Sequence, residues 1–386
     1  MRIQRAAAVR VLTVWAFAVW AFAAALNGGT PGALAASEIF TVRGVSVDVT
    51  AQTAAQARDE ALLQGQAEAF KRLLARILPR EAMIRVPPLK PDQVIDYVSD
   101  FEVDNERTSD VRYLADLTVR FNDESLRSFL AANNLAHAET LSKPVVVIPV
   151  FGPSDTARLW EEGNPWWAAW AARQPAGGLV PLIVPLGDLG DISAINASQA
   201  LAGDIESLNR LAGRYGAENM LVTQAIQVGE PELGPVSLQI GTSRLGQRQQ
   251  GTTIETFVQL EDEDLPGLYA RAAEAVADSV QEDWKQRNLL RPGLARKITV
   301  AVPLSGMDNW LKIRRSLNRV AGVQRSDIVT LSRTRGELDI SFVGDEQQLV
   351  LAMAQSDLDL QYNEAEGWLL RVAGAAPPVP AAPASE

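Results

Sequence analysis

"VVVIPVF", Val145–Phe151, carries no polar side chain. A strand with one wet face alternates apolar and polar residues, so an unbroken apolar run suits a strand covered on both sides. The neighbourhood repeats the signal. "LVPLIVPL" at 179–186 and the run at 220–226 read as further buried strands. Helical patterns separate them, one at the tryptophan-rich segment and one at about 205–215, where Gly216 stands as a stop. Such alternation predicts βαβ units with a largely parallel core. Val236, Leu238 and Ile240, then Ile254, Thr256 and Val258, alternate as an antiparallel pair at one edge. Leu268, Ala272, Val276, Val280 and Trp284 step by four along a covering helix. The expected unit is a central α/β domain over 143–290, opened by Pro144.

Two further patterns flank it. Thr53 with Gln56 forms a capping box ahead of a long helix that stops before Pro79. Ala54, Ala57, Ala61, Gly65, Ala69 and Leu73 make a small-residue stripe along it, which lets the helix axis approach a sheet closely. A strand at 39–50, an alternating strand at 111–121 and a helix at 124–133 fall with it in an N-terminal unit expected to be a β-α-β-β-α module over 38–140. After Lys297 come "KITVAVPL", a helix striped by Trp310, Ile313, Leu317 and Val320, strands at 323–331 and 338–343, a helix at 347–354 and a last strand at 368–372. That order is the split β-α-β-β-α-β or ferredoxin-like motif, expected over 296–372. Residues 373–386, with four prolines among alanines, read as a disordered tail.

The N-terminal 35 residues read as an export signal. Arg2, Arg5 and Arg10 form a basic start, 11–26 is apolar without a charge, and Ala33-Leu34-Ala35 offers a small-x-small cleavage pattern. The expectation is a periplasmic protein cleaved near Ala35. The alternative is an uncleaved signal anchoring it to the inner membrane, against which the run falls short of the roughly 20 residues a span needs. The chain contains no cysteine, which excludes disulfides, thiolate metal sites and acylation at cysteine. Its formal charge of −11 becomes −14 without Arg2, Arg5 and Arg10. Twelve basic residues between Lys285 and Arg335 face only Asp308 and Asp327, giving that stretch +10 and the rest after residue 35 a charge of −24. The asymmetry predicts docking of this basic stretch against the acidic domains, or an anionic lipid or polymer as partner through Arg314, Arg315, Arg319 and their neighbours. Nucleic acid is not expected outside the cytoplasm.

Catalytic vocabulary is sparse. One histidine, His137, excludes multi-histidine zinc sites, and it falls in an apparent linker, a poor place for a general base. No P-loop or strand-linked G-x-G-x-x-G cradle is present. Asp188 and Asp191 in "PLGDLGDIS" follow an apolar run, where α/β sheets hold ligands, and could offer oxygens to a divalent cation. The plainer reading is a turn, with glycine bending the chain and aspartate capping N–H groups. The acidic run at 261–264 stabilises the start of the following helix. "GNPWWAAW" places Trp166, Trp167 and Trp170 on a short helix capped by Asn164 and begun by Pro165, with Trp160 upstream. Four indoles cannot share one face. Core packing is expected for most of them, with at least one at a rim where a ligand or partner could stack.

The stretch at 47–77, with "VVVIPVF", "NPWWAAW" and "PLGDLGD", resembles a family of exported proteobacterial proteins, domain of unknown function two-zero-six-six. The resemblance implies export and brings no activity or catalytic residue. More distantly, the central element order and "RYGAENMLV" at 214–222 resemble the α/β domain at the N-terminus of the translocation protein TolB and in curli-secretion lipoproteins. That likeness implies action by binding envelope proteins. The chain departs from the lipoproteins in lacking a cysteine and from TolB in lacking a propeller. Together these readings predict a non-enzymatic envelope protein without cofactor or metal, working through protein–protein contacts. The rival is a small-ligand or divalent-cation binder, or an enzyme, using Asp188 and Asp191.

Overall fold

The computed structural model describes residues 38–174, 177–230, 234–246, 251–290 and 295–374. The expected export signal at 1–35 and residues 375–386 of the expected tail at 373–386 lie outside them. The architecture is mixed α+β, built on three main sheets and a two-residue strand pair.

In the first sheet, β1 (Thr41–Thr50) and β2 (Val98–Thr108) flank β3 (Arg112–Phe121), all antiparallel. Between β1 and β2 runs α1 (Ala54–Ile77), whose Thr53 hydroxyl accepts from the Gln56 N–H. The small-residue stripe has the purpose its spacing suggests. A Cβ on Gly65 would sit 2.3 Å from Leu117 Cδ1 and 2.8 Å from Val47 Cγ1, so only glycine permits this approach to the sheet. Helix α2 (Asp123–Ala132) follows, capped by Asn122.

The second sheet contains the stretch that opened the sequence. β4 (Val145–Phe151) pairs in parallel with β5 (Leu182–Ile183) on one side and β6 (Asn219–Val228) on the other. β7 (Ser237–Leu245) and β8 (Gly251–Val258) extend it antiparallel. Val147 faces a core with α3 (Pro165–Ala172) and α7 (Leu265–Arg287). Val146, Ile148 and Val150 face a second core with α4 (Leu189–Ala194), α5 (Ala197–Ala202) and α6 (Ile205–Arg214). Two-sided burial is why β4 carries no polar residue. The run at 179–186 gives only two strand residues rather than a full strand. Pro181 and Pro185 bracket them, and neither has an N–H to continue a ladder.

The third sheet is ordered β10-β11-β9-β13-β12, from β9 (Arg296–Pro303), β10 (Val323–Leu331), β11 (Arg335–Phe342), β12 (Leu358–Asn363) and β13 (Gly367–Val372). Helices α8 (Met307–Leu317) and α9 (Glu346–Gln355) supply the core with Trp310, Ile313, Leu317, Leu349 and Met353. One closing strand was expected from the sequence, and the structure has two. β12 alternates only Leu358, Leu360 and Tyr362 and hairpins onto β13, which then lies parallel to β9.

Helix α7 ties the units together. Lys285 Nζ donates to the Ala75 and Leu78 carbonyls at 3.0 and 2.9 Å, capping the end of α1. Trp284 packs into the cores on both sides, and its indole donates to Thr140 O at 2.7 Å. Lys143 bridges Glu218 and Asp357, at 2.9 and 3.1 Å. Among the described residues no helix is long and apolar enough to cross a membrane.

Candidate functional site

Helix α3 starts as its sequence dictates. Asn164 Oδ1 accepts from the Trp167 N–H, its amide donates to Pro149 O and Leu159 O, and Pro165 fills the first turn. The buried asparagine therefore fastens the helix to the end of β4. The four indoles divide in two. Trp166 and Trp170 are fully buried and meet edge to face, 5.9 Å apart, with Trp166 donating to Thr223 O at 3.1 Å. Arg173 lies over the Trp170 ring and pairs with Glu274. Trp167 and Trp160 are half-buried and anchored by their N–H groups, to Pro185 O at 3.2 Å and Ile195 O at 2.7 Å. Between them opens a cleft of about 410 Å³, walled also by Pro165, Leu186 and Gly187. The rim position expected for at least one indole is thus taken by two, Trp160 and Trp167.

The glycine–aspartate turn sits beside this cleft. Asp188 caps α4, accepting from the Asp191 N–H at 2.9 Å. Asp191 is fully buried, accepting from Gly187 N (3.0 Å), Arg214 Nε (2.9 Å) and Tyr215 Oη (2.7 Å). Arg214 also reaches both Asp188 oxygens. A Cβ at Gly190 would lie 2.1 Å from this guanidinium, so that glycine makes room for the ion pair, while Gly187 adopts a φ of +73°. Hydrogen bonding to Asp191 helps hold the Tyr215 phenol above its ordinary range, after burial, the larger cause. These carboxylates spend their lone pairs on a brace, which favours the turn reading over a cation site. Among the described residues no group of three or more His, Asp or Glu is placed to hold a metal.

The braced turn presents apolar side chains to water. Leu186 and Leu189 are 76 % and 85 % exposed, and Ile192, one turn further along α4, is also exposed. Of these, Leu186 also walls the Trp160–Trp167 cleft.

His137 is no linker residue. His137–Ala138 pairs with Leu289–Leu290 and lies buried on the wall of a cavity of about 830 Å³ between the first and third sheets. Its Nε2 is 2.9 Å from Glu139 Oε1, and Arg127 grips the same carboxylate with Nε and Nη2 at 2.9 Å each. Burial would raise the Glu139 pKa, but hydrogen bonds from His137 and Arg127 outweigh it and bring it down to about 2. The ionised acceptor fixes a proton on Nε2.

Among the described residues, the ion pairs of the basic stretch are local rather than made to distant acidic elements: Arg296 with Glu346, Lys297 with Asp339, Arg325 with Asp327, and Lys285 and Arg287 with their α7 neighbours. Lys285 crosses to α1 but meets carbonyls, not carboxylates. Arg314 donates to Ser326, Arg315 to Leu311 O and Arg319 to Ser316 Oγ. Arg319 lines the cavity beside His137, away from the other two.

Compared with known protein families, curated proteins and solved structures, the chain matches none. The Trp and Gly–Asp motifs lie side by side, Leu186 and Gly187 lining the cleft of Trp160 and Trp167. Sequence reasoning missed Arg214 and Tyr215 as their partners, and missed the Arg127–Glu139–His137 cluster. A weak signal existed in His137 and Glu139, two apart and therefore on one side of an extended segment.

Proposed function

We propose that this chain is a non-enzymatic, periplasmic cell-envelope protein that works by docking to other envelope proteins. Its docking face is the apolar surface of Leu186, Leu189 and Ile192 with the Trp160–Trp167 cleft. One observation carries the reading: two leucines stand almost fully in water on a turn locked by a buried, fully satisfied carboxylate. Contiguous exposed apolar groups mark contact surfaces, and a rigid presentation lowers the ordering cost of binding. The finer topological reading goes with it. The central unit is taken as a domain of the TolB N-terminal and curli-secretion kind, and the C-terminal unit as a split βαβ motif elaborated by β12. The exported family resembled in sequence is consistent with this role. Commitment of Asp188 and Asp191 to Arg214 and Tyr215 weighs against the cation-binding or enzymatic rival.

The test is site-specific photo-crosslinking in cells, with the probe at Ile192 of the full chain. Discrete protein adducts are expected, and Leu186→Ser with Leu189→Ser should abolish them without changing the unfolding profile. A probe at Ile254, exposed on the edge strand β8, serves as control. Absence of adducts at Ile192, or their persistence in the double variant, removes the docking reading.

A further inference from the structure

We infer that the face formed by α8 and β10 docks on an anionic phospholipid bilayer. Along α8, Trp310, Ile313 and Leu317 point into the core, and the adjoining arc carries Arg314, Met307, Leu311 and Arg315 in that angular order. Met307 is 65 % exposed and Leu311 45 %. The arc runs onto the sheet edge, because Arg314 Nη1 donates to Ser326 Oγ at 2.8 Å and to Ser326 O at 3.2 Å. On β10, Ile328 and Leu331 stand opposite the core residue Leu338 and Gly336, so they lie on the helix-bearing side of the sheet. They are 51 % and 47 % exposed. A Cβ on Gly336 would touch both Trp310 and Leu331, which places Leu331 against α8.

Four large apolar side chains and two arginines without an ion pair among the described residues therefore share one continuous face. An ordinary solvated face exposes charge without apolar bulk, and a buried one would hide both. Apolar tips with cations beside them suit the headgroup boundary, where the tips insert and the guanidinium groups stay at the phosphates. Charge complementarity selects an anionic occupant, since this stretch is +10 in a chain otherwise acidic. A soluble polyanion would engage the arginines and leave the four apolar groups wet, whereas a bilayer takes up both.

The experiment is sedimentation of the full-length chain with phosphatidylcholine vesicles, with and without phosphatidylglycerol. Binding is expected only with the anionic lipid and should weaken steeply with salt. At about fivefold per charge near the surface, Arg314→Gln with Arg315→Gln should weaken partitioning about twenty-five-fold. Lys312→Gln with Arg315→Gln, which alters only exposed side chains, guards against misfolding of the first pair. Met307→Ser with Leu311→Ser should also weaken binding, with every charge intact. Equal binding to neutral vesicles, indifference to salt, or wild-type binding by the serine variant each overturns the proposal. So does binding of polyphosphate without vesicles, or self-association lost on these substitutions, because either assigns the face to another occupant.

Discussion

Replacing Glu139 by glutamine tests the cluster at the junction of the units. The carboxyl is 4 % exposed and is lowered from its ordinary 4.5 to about 2 in the folded chain. A folded-state pKa below the unfolded one means that the ionised carboxylate stabilises the fold above about pH 4.5. That contribution is lost progressively as pH falls from there toward 2. The difference corresponds to about 3 kcal/mol. Arg127 also reaches Asp123 and is half exposed, so the variant does not strand a buried cation, and the larger cost of breaking a fully buried pair does not apply. Glu139→Gln should therefore be about 3 kcal/mol less stable at neutral pH, with the gap closing on acidification. Because the chain has several cores, the readout should be local: amide exchange across 135–142 in wild type and variant, over a series of pH values. A gap that stays constant with pH, or falls below about 1 kcal/mol at neutrality, would refute the assignment of stability to the ionised carboxylate.

Asp191→Asn keeps the shape of the turn but presents an amide NH₂ to a site filled with donors. It should destabilise the central unit by about 2–3 kcal/mol, read by urea unfolding followed through tryptophan fluorescence. In the same assay calcium or magnesium should leave the wild-type midpoint unmoved; a metal-induced rise that Asp188→Asn with Asp191→Asn abolishes would restore the cation-binding reading. Gly65→Ala gains helix propensity but drives a methyl into Leu117 and Val47. A net loss of about 1–2 kcal/mol is expected in urea unfolding, and a stabilised variant would show that α1 can shift off the sheet at little cost.

What the sequence disclosed follows the range over which each signal acts. The cap of α3, the capped turn at Asp188 and the two-sided burial of β4 are local matters of neighbouring residue types, and they were legible. The failures are non-local. Pro181 and Pro185 look apolar in a hydropathy scan yet cannot sustain a ladder, so an eight-residue run collapsed to Leu182–Ile183. β12 was overlooked because six residues with one wet edge carry too little alternation. Arg214 and Tyr215 lie more than twenty residues beyond the turn they brace. His137 looked like linker because its cover, Leu289–Leu290, arrives about 150 residues later. Arg314, Arg315 and Arg319 were expected to find acids elsewhere in the chain, and only the folded arrangement shows them bonded to serines and a carbonyl.

The Lys285 clamp has a kinetic corollary. The last carbonyls of α1 wait for an ammonium group 207 and 210 residues further along the chain. During synthesis, N-terminus first, the first sheet can collapse early, but the end of its long helix stays uncapped until residue 285 has emerged. Contacts so distant in sequence slow the final docking step. Maturation of the first unit is thereby timed by completion of the second, and a chain truncated before α7 ends would leave a frayed helix for proteases to find.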